Sequence, residues 1–350
     1  MKKYTIRSVF FACTTFILLF CGFVSFGQPL SIQVLSSGTK TNLRGLSVVN
    51  DNIIWVSGSN GTIGRSVNSG KNWSWMTVKG FEKKEFRDIE AFDANTAIIM
   101  AVDSPAYILK TTDGGDTWKV VYENKTSGMF LDAMDFSDFA NGVVVGDPIN
   151  KEIFLAYTND NGNTWKQFPL NEKRPKADSG EAFFAASGTN IRVFRDGNYY
   201  LVSGGTSSRI ITKTDTLRLP LIQGKESTGA NSIDIFDNGN PASASRKIII
   251  VGGDFNDPSS MDKNCVYTTN GGKTWKVPNK PPHGYRSCVE YLSQKDIICC
   301  GLNGVDYSND GGKTWKWVSK DGFNVCRIAR NGSAFYFAGA NGKVARLRWE

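Results

Sequence analysis

Histidine is almost absent from this 350-residue chain: there is one, His283. A single imidazole argues against metal sites built on several histidines and against Ser-His or Cys-His nucleophilic chemistry. Cysteine is sparse too, and no C-x-x-C pair occurs. Beyond the N-terminal apolar stretch only Cys265, Cys288, Cys299, Cys300 and Cys326 remain, an odd number that cannot all pair. Four of them, Cys288, Cys299, Cys300 and Cys326, sit in apolar strand-like runs and read as small buried hydrophobes. No Lys/Arg run alternates with aromatics as a nucleic-acid groove requires, so no nucleic-acid partner is expected. No G-x-G-x-x-G follows a strand and opens a helix, and no haem or iron–sulfur spacing is present, so neither a cofactor nor a metal is expected. Long apolar runs of helical period are few, whereas glycine is plentiful at 36 residues and aromatics make up 12%. That composition suits an all-β protein with many tight turns.

The one long apolar run is N-terminal. Lys2, Lys3 and Arg7 precede an apolar stretch from Val9 to Leu19, and Ser25 and Gly27 place small residues before Gln28. This is the pattern of a secretory signal covering residues 1–27. Its cleavage predicts an exported protein, periplasmic or extracellular, with no stable membrane span in residues 28–350. Cys21 follows Phe20, which argues against a lipoprotein. Without the signal's three cations the net charge falls from +8 to about +5, a mild excess that tolerates anionic partners.

What organises the rest is a repeat. Ser308-Asn309-Asp310-Gly311-Gly312-Lys313-Thr314-Trp315 recurs at 268–275, 111–118 and 158–165, and more loosely at 66–73. The Asp or Asn side chain accepts backbone N–H bonds a few residues on, and glycine takes positive φ without steric cost. Thr and Trp then open a strand. About five copies closing on Trp mark a repeat architecture. Three strand-like runs precede each Asp-Gly turn and one follows it, giving four strands in roughly 40–50 residues, the period of a propeller blade. Units open at Leu43, Phe86, Phe130, near Gly180 to Phe184, at Ala230, Tyr285 and Phe323. The fourth has lost its Gly-Gly and Trp around Thr214-Asp215-Thr216, and the fifth carries an insertion from Asp254 to Lys263. The last has only three strands, and the lone strand Ser31 to Leu35 is its expected fourth, which would close the ring and cover the open edge. The reading is one all-β domain over residues 28–350, a seven-bladed β-propeller closed by an N-terminal strand.

The motif Ser/Thr-x-Asp-x-Gly-x-Thr-Trp resembles that of the BNR/Asp-box propellers. A single ring whose units open Phe-Arg-Asp-Ile looks like the photosystem II stability/assembly factor family. That resemblance implies a propeller and an assembly or binding role, although fold alone does not fix function. It also implies a structural role for Asp113, Trp118, Asp160, Trp165, Trp275, Asp310 and Trp315: pinning the outer hairpin, with the indole packed between blades.

Aligning the first strands places Arg44, Arg87, Leu131, Glu181, Asn231, Arg286 and Asn324 at one level of the channel. Asp88, Asp132 and Ser232 fall at the next. Charged residues in a packed channel need partners or a ligand. Arg44, Arg87, Asp88, Asp132, Glu181 and Arg286 are therefore the candidate ligand-binding residues, and no catalytic residue is assigned. The plain reading of the six is a self-neutralising Arg–carboxylate network; the sharper one is an anion site using the guanidinium forks. Lys79, Lys83, Lys84, Lys173, Arg174, Lys176, Lys225 and Lys280 lie in loops expected around the same mouth. These features predict a non-enzymatic scaffold holding a protein or an acidic ligand or glycan. The competing reading is a glycoside hydrolase using paired carboxylates, Asp88 with Asp132 or Asp132 with Glu181.

Overall fold

A computed structural model describes residues 30–36, 39–169, 175–236 and 247–349. The signal segment, Lys173 and Arg174 lie outside the described residues. Among those described, strands form seven sheets arranged as blades. Blade 1 runs outward as Leu43–Val48, Ile54–Gly58, Thr62–Ser66 and Ser74–Thr77. Blade 2, opening at Phe86–Ala91, blade 3 at Leu131–Phe136 and blade 6 at Cys288–Tyr291 repeat the same meander. Blade 7 has three consecutive strands, Val325–Ile328, Phe335–Ala338 and Val344–Trp349. Its fourth is the N-terminal Leu30–Ser36, which pairs antiparallel with Val344–Trp349 from Leu30 opposite Trp349 to Ser36 opposite Val344. The ring is closed by the strand the sequence offered for it.

The second strands are buried on both faces, which is why Ala97–Ala101 and Ile297–Gly301 read as near-continuous apolar runs rather than alternating ones. Apolar side chains of adjacent blades interlock, as in the seam formed by Trp55, Ile63, Phe86, Ile89 and Leu109. The five cysteines are buried and free.

Blade 4 departs from the expected start. Its innermost strand is Ile191–Val193, not the stretch near Gly180. Glu181–Ala182 instead pairs with Gly204–Gly205, and both join the sheet of blade 5 beside Thr228–Ile235. The displaced residues 183–190 do not run around the rim. They enter the central channel and are buried there from Ala185 to Asn190.

Four inner strands carry a bulge one turn from their start, between Leu43 and Gly45, Phe86 and Asp88, Leu131 and Ala133, and Ala230 and Ser232. A bulge adds one residue to one strand and re-aims its side chain. Arg44, Arg87, Asp132 and Asn231 occupy these bulges, so Asp132, not Leu131, is the counterpart of the two arginines.

Candidate functional site

The channel has two ends of different chemistry, separated by the inserted segment. Ser187 Oγ donates to the Ser287 carbonyl at 2.7 Å in blade 6, and Thr189 Oγ1 donates to Ser232 Oγ at 2.7 Å in blade 5. Arg44 reaches the Ala186 carbonyl at 3.3 Å from blade 1, and Arg327 the Gly188 carbonyl at 3.4 Å from blade 7. Gly188 has φ +66, and a Cβ there would stand 2.3 Å from the Asp88 carboxylate of blade 2. The segment is thus a plug tied to blades on several sides, and only glycine fits its closest approach.

On one side of the plug lies a ring contributed by equivalent positions of all seven inner strands: Ser47, Glu90, Asp135, Arg192, Asp234, Glu290 and Arg327. They line a cavity of about 190 Å³ with Arg330 at its edge. The charges are matched to one another: Arg192 Nε meets Asp234 at 3.0 Å, its Nη2 meets Glu290 at 3.4 Å, and Arg330 meets Glu90 at 2.6 Å. Asp135 and Asp234 also accept the amides of Val193 and Tyr291, each at 2.6 Å. This ring is an Arg–carboxylate network, four carboxylates against the guanidiniums of Arg192, Arg327 and Arg330, and the sequence reading placed none of its members there.

On the other side stand Arg44 and Arg87. Burial lowers the Arg44 pKa first, and the neighbouring Arg87 charge lowers it further. Two like charges therefore share one small region. Neither Nε has a hydrogen-bond partner among the described residues. The carboxylate nearest Arg87 is Glu85, at 3.8 Å from Nε, and the guanidinium lies over the Phe130 ring at 5.7 Å. Asp132 does not supply the missing countercharge. It is fully buried, and desolvation, then the Asp147 charge, pushes its pKa well above the ordinary range, against the Arg87 charge and the amides of Ala185 and Asp147, which lower it. With the Asp132 carboxyl pushed toward its neutral form, Glu85 is the carboxylate left beside two guanidiniums, an excess of positive charge that suits an anion.

The other candidates are elsewhere. Asp88 spends both oxygens on backbone amides, Ile89 at 2.8 Å and Met134 at 2.7 Å, and lies under Gly188. Glu181 is off the axis, clamped by Arg209 at 2.9 and 2.5 Å. Its assignment to the channel fails because its strand joins the margin of blade 5. Arg286 is off the axis as well. Cys288 opposite Cys300 in blade 6 matches Gly45 opposite Ser57 in blade 1, so Arg286 takes the slot of Leu43 and Leu131, not that of Arg44. A one-residue offset turns a side chain to the other face. Arg286 is wholly buried there and ion-paired to Asp306, which also accepts a hydrogen bond from His283 Nδ1–H at 2.6 Å. Asp88, Asp132 and Glu181 are at most 6% exposed, so neither proposed carboxylate pair presents an acid and a base to a shared cleft.

The Asp boxes build one repeated network. Asp113 Oδ1 accepts Thr111 Oγ1 at 2.8 Å and the Thr117 amide at 3.0 Å, and the Gly115 amide returns to Thr111 Oγ1 at 3.0 Å. Asp160 and Asp310 do the same with their own Thr or Ser, and Asn270 substitutes its amide oxygen. Trp315 is fully buried and Trp165 nearly so, while Trp118 and Trp275 are half-buried.

Residues 74–191 match the family model described as photosynthesis system II assembly factor YCF48. No curated protein matches the chain by sequence. Among solved structures it is similar to "YCF48 bound to D1 peptide", with 16% identity, 91% of this chain and 96% of that chain covered, and a TM-score of 0.61. It is similar also to YCF48 from Cyanidioschyzon merolae, at 17% identity, 91% and 99% coverage and a TM-score of 0.64. The WD40 β-propeller domain of Doa1 aligns at 12% identity, 91% and 97% coverage and a TM-score of 0.60. The chain is a BNR-type propeller resembling the photosystem II assembly factor; identities this low carry the fold and not the ligand.

Proposed function

We propose that this chain is an exported, non-catalytic scaffold that holds a carboxylate-bearing segment of a partner protein at the Arg44–Arg87 mouth of its channel. The observation that carries the reading is the pair of adjacent, half-buried guanidiniums whose Nε atoms have no hydrogen-bond partner among the described residues, with Glu85, at 3.8 Å from Arg87, as their neighbouring carboxylate. Keeping two guanidiniums partly desolvated is costly, and an incoming carboxylate offsets that cost through charge-assisted, bidentate bonds. The plug gives the site a floor, so a peptide end or an acidic side chain binds at the mouth and does not thread the ring. A structural neighbour that carries a bound peptide supports the protein-binding part. The N-terminal basic and apolar segment supports export.

The test is fluorescence anisotropy with a labelled acidic peptide and its neutral amide counterpart. Arg44→Gln and Arg87→Gln should each weaken the acidic peptide about 10-fold or more, as loss of a charge-assisted bond worth roughly 1.5–3 kcal/mol requires. Both should leave the melting temperature near that of the unaltered protein. Equal binding of the two peptides, or binding indifferent to both substitutions, overturns the reading. Appearance of the unaltered protein in the cytoplasm of its own cell overturns the export part separately.

A further inference from the structure

A large cavity lies away from the channel, at the outer end of the seam between blades 4 and 5, and the repeat itself explains why it exists. In four of the five boxes the second glycine position presses on the preceding blade. A Cβ at Gly70, Gly115, Gly162 or Gly312 would stand 2.6, 2.4, 2.2 or 2.8 Å from Leu35, Met76, Ile98 or Ile249. At Gly272, in the box of blade 5, no described atom of blade 4 comes within 4 Å. Blade 4 has the eroded box. Its third and fourth strands, Arg209–Thr212 and Thr216–Arg218, are joined by Lys213, Thr214 and Asp215 alone, too short a turn to carry the Gly-Gly and the Trp. Leu217 is left 46% exposed in that hairpin.

What remains is a cavity of about 1050 Å³. Phe194, Tyr200 and Trp275 line it, and Phe194 meets Tyr200 edge-on at 5.4 Å. The indole N–H of Trp275, like that of Trp165, has no partner among the described residues, whereas those of Trp73, Trp118 and Trp315 donate to the carbonyls of Gly70, Gly115 and Gly312 at 3.1, 3.1 and 3.2 Å. The rim carries two cations, Arg195 and Lys213, and two anions, Asp196 and Asp215. Those charges cancel, so unlike the Arg44–Arg87 mouth this cavity selects no net charge. Asn198, Thr212, Thr214 and Thr216 add amide and hydroxyl groups.

We propose that this seam is a binding site for a neutral oligosaccharide. A sugar ring offers a flat C–H face that stacks on an aromatic ring and an edge of hydroxyls that both donate and accept. Aromatic walls with a charge-balanced rim of carboxylates, guanidinium, amide and hydroxyls satisfy both at once. The volume matches the upper end of ordinary ligand sites, about 300–1,000 Å³, and admits a short oligomer more readily than a single sugar. The site owes nothing to the channel: it arises because no described side chain of blade 4 reaches Gly272, whereas strand side chains of the preceding blade reach the matching glycine of the other four boxes.

Isothermal titration calorimetry of the full chain with cellohexaose, maltohexaose, xylohexaose and chitohexaose tests it, with a neutral aromatic hexapeptide as a fifth probe. At least one hexasaccharide should bind. Tyr200→Ala should weaken that binding at least 10-fold, and Leu217→Trp, which puts an indole into the cavity from an exposed position, should abolish it with the melting temperature unchanged or raised. Arg44→Gln should leave it unchanged, which separates this site from the mouth of the channel. Failure of all four sugars, binding of the peptide alone, or sugar binding indifferent to both cavity variants overturns the proposal.

Discussion

Arg286 shows how much one side chain's slot decides. In the places equivalent to it stand Leu43 and Leu131, both fully buried, yet here a guanidinium fills the space with Asp306 opposite, also fully buried. Nε donates to Asp306 at 2.8 Å and Nη1 to Asn303 Oδ1 at 2.6 Å, so the charge is hydrogen-bonded on several sides. Removing one partner strands the other. Arg286→Met should therefore destabilise the protein by about 3–5 kcal/mol, read as the midpoint shift in urea denaturation. The double replacement Arg286→Leu with Asp306→Leu should recover at least half of that loss, because the slot accepts leucine elsewhere in the ring. Asp147 gives a second residue-scale expectation. Burial raises its pKa to about 6, against the one amide bond from Phe183 that lowers it. Between about pH 4 and 6 the folded state then holds a proton that the unfolded state has released, so stability falls as pH rises through this window. Asp147→Asn should remove that part of the slope in a series of melts across it.

At the scale of the element, the Asp boxes are alike in hydrogen bonding and unlike in burial. Trp315 is fully buried against the preceding blade and Trp118 only half. Trp315→Ala should cost about 3–5 kcal/mol, with Trp118→Ala clearly less, by denaturation of the two variants side by side. Equal losses would mean that the box, not the seam, holds the indole's contribution. The closing strand is the other decisive element. Deleting 30–36 exposes the whole length of Val344–Trp349 as an unpaired edge and removes Leu30, Ile32 and Leu35, which pack against the blade 7 core. The deletion should lower the melting temperature steeply and produce concentration-dependent aggregation by light scattering, since an open apolar edge pairs with other chains.

For the molecule as a whole, the plug makes the ring a solid body with two unlike ends. Its contacts join blades far apart in sequence, Arg44 to Ala186 and Ser187 to Ser287 among them. Gly188 is its tightest point, and Gly188→Val adds a β-branched side chain at positive φ against the Asp88 carboxylate. A loss of about 1–3 kcal/mol is expected from that overpacking and strain, with reduced capture of an acidic peptide because the floor of the Arg44–Arg87 mouth moves. Unchanged stability together with unchanged capture would show the plug to be a passive filler.

The repeat grammar was fully legible in the chain. Asp-Gly turns closing on Trp, the count of strand runs and the lone strand before the first unit specify a closed seven-bladed ring, because turn chemistry and strand patterning are local properties. The arginines at 44 and 87 were legible as channel residues for the same reason: their blades keep the regular spacing. What the sequence could not fix was register. Bulges shift Asp132 into line with those arginines, an offset of one residue puts Arg286 in an apolar slot, and the ring of Glu90, Asp135, Arg192, Asp234, Glu290 and Arg327 emerges only when each strand is set against its partner. The fate of residues 183–190 was equally closed to it, because small and polar residues suit a surface loop as well as a channel plug. Only the tertiary structure, by placing hydrogen-bonding groups from opposite blades around that segment, decides that it turns inward and divides the channel into an end of paired charges and an end where two guanidiniums stand beside one carboxylate, Glu85.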